Sequence, residues 1–124
     1  MDITPLIPSG RQIVKGYGDG GFTISGIRWE GSVLVLPDRT QAWGPAELSQ
    51  VTEESLSPIL SLPERPRLLL LGCGQRMALV PNTLRAALRQ AGITLELMDT
   101  GGACRTFNVL VSEERSVAAA LIAV

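Results

Sequence analysis

The sequence contains no histidine, and Lys15 is its only lysine beside ten arginines. Without histidine the chain cannot form a Ser-His-Asp triad, a Cys-His nucleophile or a histidine-ligated metal site. A Schiff-base or Ser-Lys mechanism would depend on Lys15, which lies near the N-terminus in a segment typical of a strand. The two cysteines, Cys73 and Cys104, are too few for a structural zinc site or a disulfide framework. The composition therefore favours a protein without catalytic residues, metal or cofactor.

Strong charge imbalance and long apolar runs are also absent. The net charge is -1, whereas nucleic-acid binders usually carry a basic patch or stripe, so we expect no nucleic-acid partner. The longest apolar run, Val117 to Val124, covers eight residues, far fewer than the roughly 20 that span a bilayer. The segment from Met1 to Pro5 has no basic stretch followed by an apolar one, so it does not resemble a signal peptide. We therefore expect a cytoplasmic protein without a membrane span.

The sequence contains enough aliphatic residues to form the core of one folded domain. The chain has 124 residues, of which 45% are hydrophobic and only 4% aromatic. This length predicts a single domain over residues 1–124, with a core filled by Leu, Val, Ile and Ala. Pro5, Pro8 and Gly10 indicate an extended arm over residues 1–11.

The segment that follows the arm has the pattern of β structure. Between Gln12 and Leu36, scattered apolar residues are interrupted by glycines, which predicts a meander or a pair of hairpins. The stretch Gly18-Asp19-Gly20-Gly21 invites comparison with a phosphate loop, but no Lys-Ser/Thr pair and no helix follow it. A turn between two strands explains these glycines better.

The second half is organised around the run Arg67-Leu68-Leu69-Leu70-Leu71-Gly72-Cys73-Gly74. Its leucines predict a strand buried on both faces, the central strand of an α/β layer. A helix capped by Asn82, a strand from Ile93 to Met98, a helix capped by Thr100 and a strand from Arg115 to Ile122 are predicted after it. The order β-α-β-α-β predicts parallel strands joined by right-handed crossovers.

A binding site in such a sheet is expected outside the carboxyl ends of the strands. In this chain that edge carries the two glycines after the leucine run and the start of the following helix. We therefore predict the candidate binding residues at this edge. They are Gly72, Cys73, Gly74, Thr100, Cys104, Arg105 and Asn108.

Three chemistries are considered for these residues: nucleotide binding, thiol redox chemistry and binding of a small anion. A dinucleotide fingerprint needs a third glycine where the chain has Met77, and a helix directly after the turn, so no nucleotide cofactor is expected. Cys73 and Cys104 form either a redox-responsive pair or two small core residues. Arg105 and Asn108, three apart on one helix face, either hold a small anion with the backbone donors of the helix start or belong to a solvated face where Arg105 pairs with a carboxylate.

Several segments agree in order and spacing with a known family. They are Tyr17-Gly18-Asp19-Gly20-Gly21-Phe22, Gly31-Ser32-Val33-Leu34-Val35, Leu70-Leu71-Gly72-Cys73-Gly74, Met98-Asp99-Thr100, residues 103–110 and residues 114–121. From about Tyr17 onward the chain resembles the family of small domains of unknown function that includes the mitochondrial complex I assembly factor 3 and the adipogenesis-associated Mth-type domain-containing protein. The resemblance implies a three-layer α/β domain with a central mixed sheet flanked by helices, a last strand antiparallel to its neighbours and a β-hairpin layer on one side. It supplies no catalytic residue, and it implies action through protein contacts, as in the assembly of a respiratory complex.

Two functions follow from these observations. The first is a non-enzymatic, protein-binding or assembly-factor-like module that meets a protein partner at the carboxyl edge of the sheet. The alternative is a small-ligand-binding protein or an enzyme with a pocket near Gly72, Thr100 and Arg105. The missing histidine, the single lysine and the incomplete nucleotide fingerprint favour the first function. A concave pocket that converges on Arg105 would favour the second.

Overall fold

The computed structural model describes residues 11–124, so the predicted arm lies outside the described residues except for Arg11. Within them the chain forms eight strands and three α-helices. The strands are β1 Val14–Gly18, β2 Gly21–Ile24, β3 Ile27–Glu30, β4 Val33–Val35, β5 Thr40–Ala42, β6 Leu68–Gly72, β7 Thr94–Met98 and β8 Val117–Leu121. The helices are α1 Ser57–Leu60, α2 Asn82–Gln90 and α3 Thr100–Ser112, and two short 3-10 helices, Leu48–Gln50 and Glu54–Leu56, precede α1.

The strands form two sheets. Strands β1, β2 and β3 make an antiparallel three-stranded sheet, as predicted for a meander. The other five strands form a mixed sheet in the order β5-β4-β8-β6-β7. Strand β6 runs parallel to both β7 and β8, and β8 runs antiparallel to β4. This mixed α/β architecture confirms the predicted fold class.

Two details of the mixed sheet differ from the expectation. The resemblance implied a last strand antiparallel to its neighbours, but β8 is antiparallel only to β4 and parallel to β6. The crossover through α3 returns the chain to the end of the sheet at which β6 and β7 start, and this sets the direction of β8. Strand β8, rather than the leucine strand β6, lies in the middle of the sheet because β4 pairs with its other side.

Helices cover opposite faces of the mixed sheet. Strand β7 lies on one side of β6 and β8 on the other, so right-handed crossovers place α2 and α3 on opposite faces. Leu69 and Leu71 belong to the hydrophobic cluster that includes the buried residues of α2. Leu70 belongs to a second cluster with α3 and the three-stranded sheet. The leucine run is therefore a strand buried on both faces, and the domain has three layers.

Asp19 and Gly20 form the turn between β1 and β2. Both residues have positive φ, 53° for Asp19 and 76° for Gly20, as in the type I′ turns that favour Asp-Gly in two-residue hairpins. Glycine enters this region without steric penalty, and aspartate tolerates it. The glycines after Tyr17 thus serve a hairpin, as predicted, and not a phosphate loop.

The starts of the two longer helices differ from the predicted caps. Helix α2 begins at Asn82 itself, and no side-chain hydrogen bond caps it. Helix α3 is capped by Asp99, whose carboxylate accepts a hydrogen bond from the N–H of Gly102 at 3.2 Å. Thr100 is the first helical residue instead of the cap. Because Asp99 supplies the capping acceptor, the hydroxyl of Thr100 is available for contacts at the carboxyl edge of the sheet.

Candidate functional site

Thr100 connects three elements at the carboxyl edge of the mixed sheet. Its side chain is fully buried, and its hydroxyl donates to the carbonyl of Ile122, just beyond β8, at 2.7 Å. The same hydroxyl accepts from the N–H of Gly74 at 3.0 Å, while the N–H of Thr100 donates to the carbonyl of Gly74 at 2.8 Å. The start of α3 is thereby bonded to the chain that leaves β6 and to the chain that leaves β8. Thr100 therefore has a structural role, because its hydroxyl acts as both a donor and an acceptor of hydrogen bonds within the fold.

Gly72 lets α3 approach β6 closely. A Cβ atom at this position would lie 3.0 Å from the Cα of Thr100 and 3.1 Å from Cδ2 of Leu121. Gly74 has a φ of 109°, a conformation that side chains other than hydrogen rarely adopt. The Gly-Cys-Gly segment is thus explained by close packing and a turn. Its backbone groups bond to Ile122, Met98 and Thr100.

The two cysteines lie on opposite faces of the mixed sheet. Cys73 belongs to the hydrophobic cluster on the α2 face, and Cys104 belongs to the cluster on the α3 face. Both are free and buried. Burial raises the pKa of the Cys104 thiol to about 12, although Arg105 lowers it and Asp99 raises it further. Two small core residues therefore describe these cysteines better than a redox-responsive pair, because the two belong to different hydrophobic clusters and burial disfavours the Cys104 thiolate.

Asn108 binds the backbone of β1. Its Oδ1 accepts a hydrogen bond from the N–H of Val14 at 2.8 Å, and its Nδ2 donates to the carbonyl of Val14 at 2.6 Å. Strand β1 is an edge strand of its sheet, so the carboxamide supplies the donor and acceptor that a neighbouring strand would otherwise supply. Asn108 therefore joins the three-stranded sheet to α3.

Arg105 also reaches β1, one helical turn before Asn108. Its Nη1 donates to the hydroxyl of Tyr17 at 2.8 Å. No carboxylate in the described part of the chain lies within 4.0 Å of its guanidinium, so the predicted pairing with an acidic neighbour does not occur. The prediction that Arg105 and Asn108 share one helix face agrees with the structure, since both side chains bond to β1.

A groove of about 370 Å³ lies between β1 and α3. We call it the β1–α3 groove. Its lining comprises Val14, Lys15, Gly16, Tyr17, Cys104, Arg105 and Asn108. Three of the predicted site residues, Cys104, Arg105 and Asn108, are thus brought together in one concave surface. The other four, Gly72, Cys73, Gly74 and Thr100, do not line it.

Lys15 and Tyr17 are groove residues that the sequence interpretation did not include. They lie two apart in β1, and this spacing alone indicates a shared strand face. Nothing in the sequence indicates that this face meets a helix 88 residues further on, the separation of Tyr17 and Arg105. The signal that could have found the pair is weak: the only lysine and the only tyrosine of the chain occur in one strand beside a turn.

Two further cavities lie at the opposite edge of the mixed sheet. One of about 500 Å³ is lined by residues of the β4–β5 turn and of the segment before β6, including Asp38, Arg39 and Glu64. An adjoining one of about 240 Å³ includes Glu114 and Arg115, just before β8. Both cavities mix acidic and basic side chains. The prediction of a binding site at the carboxyl edge did not include these two cavities.

Clusters of metal-ligating side chains and membrane-spanning helices are both absent from residues 11–124. No group of three or more cysteine, aspartate or glutamate side chains in this part of the chain is arranged to hold a metal ion. In the same residues, no helix is both long and apolar enough to cross a bilayer.

Residues 14–122 match the model of a family described as "Protein of unknown function (DUF498/DUF598)". A protein of Xenopus tropicalis named NADH dehydrogenase [ubiquinone] 1 alpha subcomplex assembly factor 3 is 40% identical over 110 residues, which are 88% of this chain and 60% of that protein. The chain thus spans about three fifths of the length of this relative.

Two solved structures are similar in fold and in sequence. A Bartonella henselae protein described as an outer membrane protein superposes with a TM-score of 0.85 at 35% identity, covering 95% of this chain and 98% of that one. The Rpa2829 protein of Rhodopseudomonas palustris superposes with a TM-score of 0.81 at 35% identity, covering 100% of this chain and 90% of that one. The three-layer architecture is therefore shared with experimentally determined structures.

Proposed function

Because this chain belongs to the DUF498/DUF598 family of proteins of unknown function, we propose that it is a non-enzymatic, protein-binding module that assists the assembly of an NADH dehydrogenase complex. The observation that carries this proposal is the 40% identity, along 88% of the chain, to a protein named as an assembly factor of that complex. The region that matches the family model, residues 14–122, includes all strands and helices from β1 to β8.

The contacts at the carboxyl edge support a binding role. The polar groups best suited to chemistry already hold elements together: Thr100 bonds Gly74 and Ile122 at that edge, and Asn108, two turns further along α3, bonds Val14. A general acid or base has to exchange a proton with a substrate, and these groups are engaged with the backbone instead. A rigid scaffold that presents a surface requires that such bonds persist. We place the partner surface at the β1–α3 groove, which adjoins this scaffold.

Affinity capture from the source organism tests the proposal. The tagged chain is expected to retain subunits of an NADH dehydrogenase complex in a fixed ratio, identified by mass spectrometry. A matched capture with Thr100→Val, which is expected to unfold more readily because its buried hydroxyl is lost, controls for binding to unfolded chain. Absence of any such subunit from the wild-type capture would contradict the proposal.

The second candidate function is binding of a small ligand in the β1–α3 groove. The observation that favours it is that Arg105 lines a concave surface of about 370 Å³. Gly72 and Thr100, which the sequence interpretation placed in such a pocket, are buried and do not line it. Native mass spectrometry of the purified chain distinguishes the two functions, because a bound small molecule would add a discrete mass that disappears on denaturation.

The proposal includes a cytoplasmic location. It is supported by the two cysteines, which are free and buried on opposite faces of the sheet, since exported proteins more often pair their cysteines. Cell fractionation followed by immunoblotting tests the location. Recovery of the chain with the membrane fraction after a high-salt wash would contradict it.

A further inference from the structure

The β1–α3 groove has a single sign of charge. Lys15 and Arg105 line it, and no acidic side chain of the described chain does. The larger cavity at the opposite edge places Asp38 and Glu64 beside its arginines, so its charges offset one another. A concave surface lined by cations alone attracts anions and raises their local concentration.

Arg105 is oriented for recognition before any partner binds. Its Nη1 is bonded to the hydroxyl of Tyr17 at 2.8 Å, and the ring end of Tyr17 lies against Gly101 in the first turn of α3. A guanidinium has five N–H donors, so several donors remain for a bidentate contact with a carboxylate. Restricting the rotamer of a long side chain in advance lowers the entropy lost on binding.

We infer that the β1–α3 groove binds an acidic segment of a protein partner, with an aspartate or glutamate carboxylate paired to Arg105 and a second carboxylate near Lys15. This inference rests on the proposed function, because it assumes a protein partner. It adds the chemistry by which that partner is recognised. Lys15 and Arg105 come from β1 and α3, so the groove offers two separate cationic positions to one extended segment.

An NMR titration with a five-residue glutamate peptide tests the inference. The peptide is expected to shift the backbone amide signals of Gly16, Tyr17 and Gly101 in a saturable manner, and a glutamine peptide of equal length is not. Arg105→Ala should weaken the affinity about tenfold, because a hydrogen-bonded charge is lost. Arg76→Ala removes the same charge from an exposed loop position and should change the affinity less than about twofold.

A variant with unchanged charge distinguishes specific binding in the groove from non-specific electrostatic attraction. A Cβ atom at position 101 would lie 2.5 Å from the Tyr17 hydroxyl and 3.2 Å from Nη1 of Arg105. Gly101→Ala therefore displaces both side chains while leaving the net charge unchanged, and alanine favours the helix. A several-fold loss of peptide affinity supports the inference. Equal affinity in Gly101→Ala, Arg105→Ala and the wild type would overturn it.

A phosphate titration and the capture experiment distinguish failure of this inference from failure of the proposed function. Saturation of the same amide signals by inorganic phosphate at the concentration required for the peptide would overturn the inference in favour of a free-anion site. Capture of NADH dehydrogenase subunits by Arg105→Ala as efficiently as by the wild type would overturn the inference and leave the proposed function standing. Failure of the wild type itself to capture those subunits would contradict the proposed function instead.

Discussion

The carboxamide of Asn108 pairs with both backbone groups of Val14, accepting from its N–H at 2.8 Å and donating to its carbonyl at 2.6 Å. The two residues are 94 positions apart in the sequence. Val14 lies in β1, at the edge of the three-stranded sheet, and Asn108 lies in α3, which covers the mixed sheet. This side chain therefore joins the two parts of the fold that border the β1–α3 groove, together with the bond from Arg105 to Tyr17.

Asn108→Ala is expected to lower the free energy of unfolding by about 1–3 kcal/mol, because a partly buried N–H and carbonyl lose their partners. Urea denaturation followed by circular dichroism measures the change. Gln90→Ala, an amide removed from an exposed helical position, is the control and should remain within about 0.5 kcal/mol. Equal stability of the two variants would show that the Asn108 pairing adds nothing to the fold.

Thr100→Val is expected to destabilise the domain by about 1–3 kcal/mol, since the buried hydroxyl bonds both Gly74 and Ile122. Thr100→Ser keeps the hydroxyl and loses only a methyl group, so it should retain most of the stability. Thermal unfolding of the three proteins provides the comparison. A serine variant less stable than the valine variant would show that packing, and not hydrogen bonding, determines this position.

Gly72→Ala should be destabilising because its Cβ would lie 3.0 Å from the backbone of Thr100. Relieving this contact requires β6 and α3 to move apart, which typically costs about 1–3 kcal/mol. Gly44→Ala is the matched control, since a Cβ atom there meets nothing within 4 Å. Denaturant midpoints of the two variants test the prediction, and a stable Gly72→Ala protein would contradict the close approach of strand and helix.

Cys104 gives a pH-dependent prediction. Burial raises the pKa of its thiol from 9.0 to about 12, so its protonated form is favoured in the folded state. The stabilisation from this thiol is fully present below pH 9 and is lost as the pH rises towards 12. The stability advantage of the wild type over Cys104→Ala should therefore shrink between pH 8 and pH 10.5. A constant difference across that range would show that the thiol is not desolvated in the folded protein.

Much of the fold could be predicted because its patterns are local. The leucine run of β6 and the helical spacing of α2 were assigned correctly, since buried strands and amphipathic helices have characteristic periods. The Asp-Gly turn was predicted because few residues accept its backbone conformation. The common direction of β6, β7 and β8 was predicted by the crossover rule, against the antiparallel last strand that the resemblance implied, but the pairing of β6 with β8 was not predicted.

The candidate site was predicted less well because it depends on contacts between distant segments. Asp99 and Thr100 are both good capping residues, and only the contact with Ile122 decides that Thr100 bonds across the sheet. Cys73 and Cys104 were predicted at one edge, but that prediction did not specify which face of the sheet each would occupy. Tyr17 was not predicted as a site residue, because nothing local relates it to Arg105.

The most direct test of the assembly role is deletion of the gene in the source organism, followed by native gel electrophoresis of the membranes with an NADH dehydrogenase activity stain. The assembly role predicts less of the full-size complex and an accumulation of smaller subcomplexes, both restored by the wild-type gene. Restoration should be weaker with Arg105→Ala than with Arg76→Ala. An unchanged amount of the full-size complex in the deletion strain would contradict the proposed function.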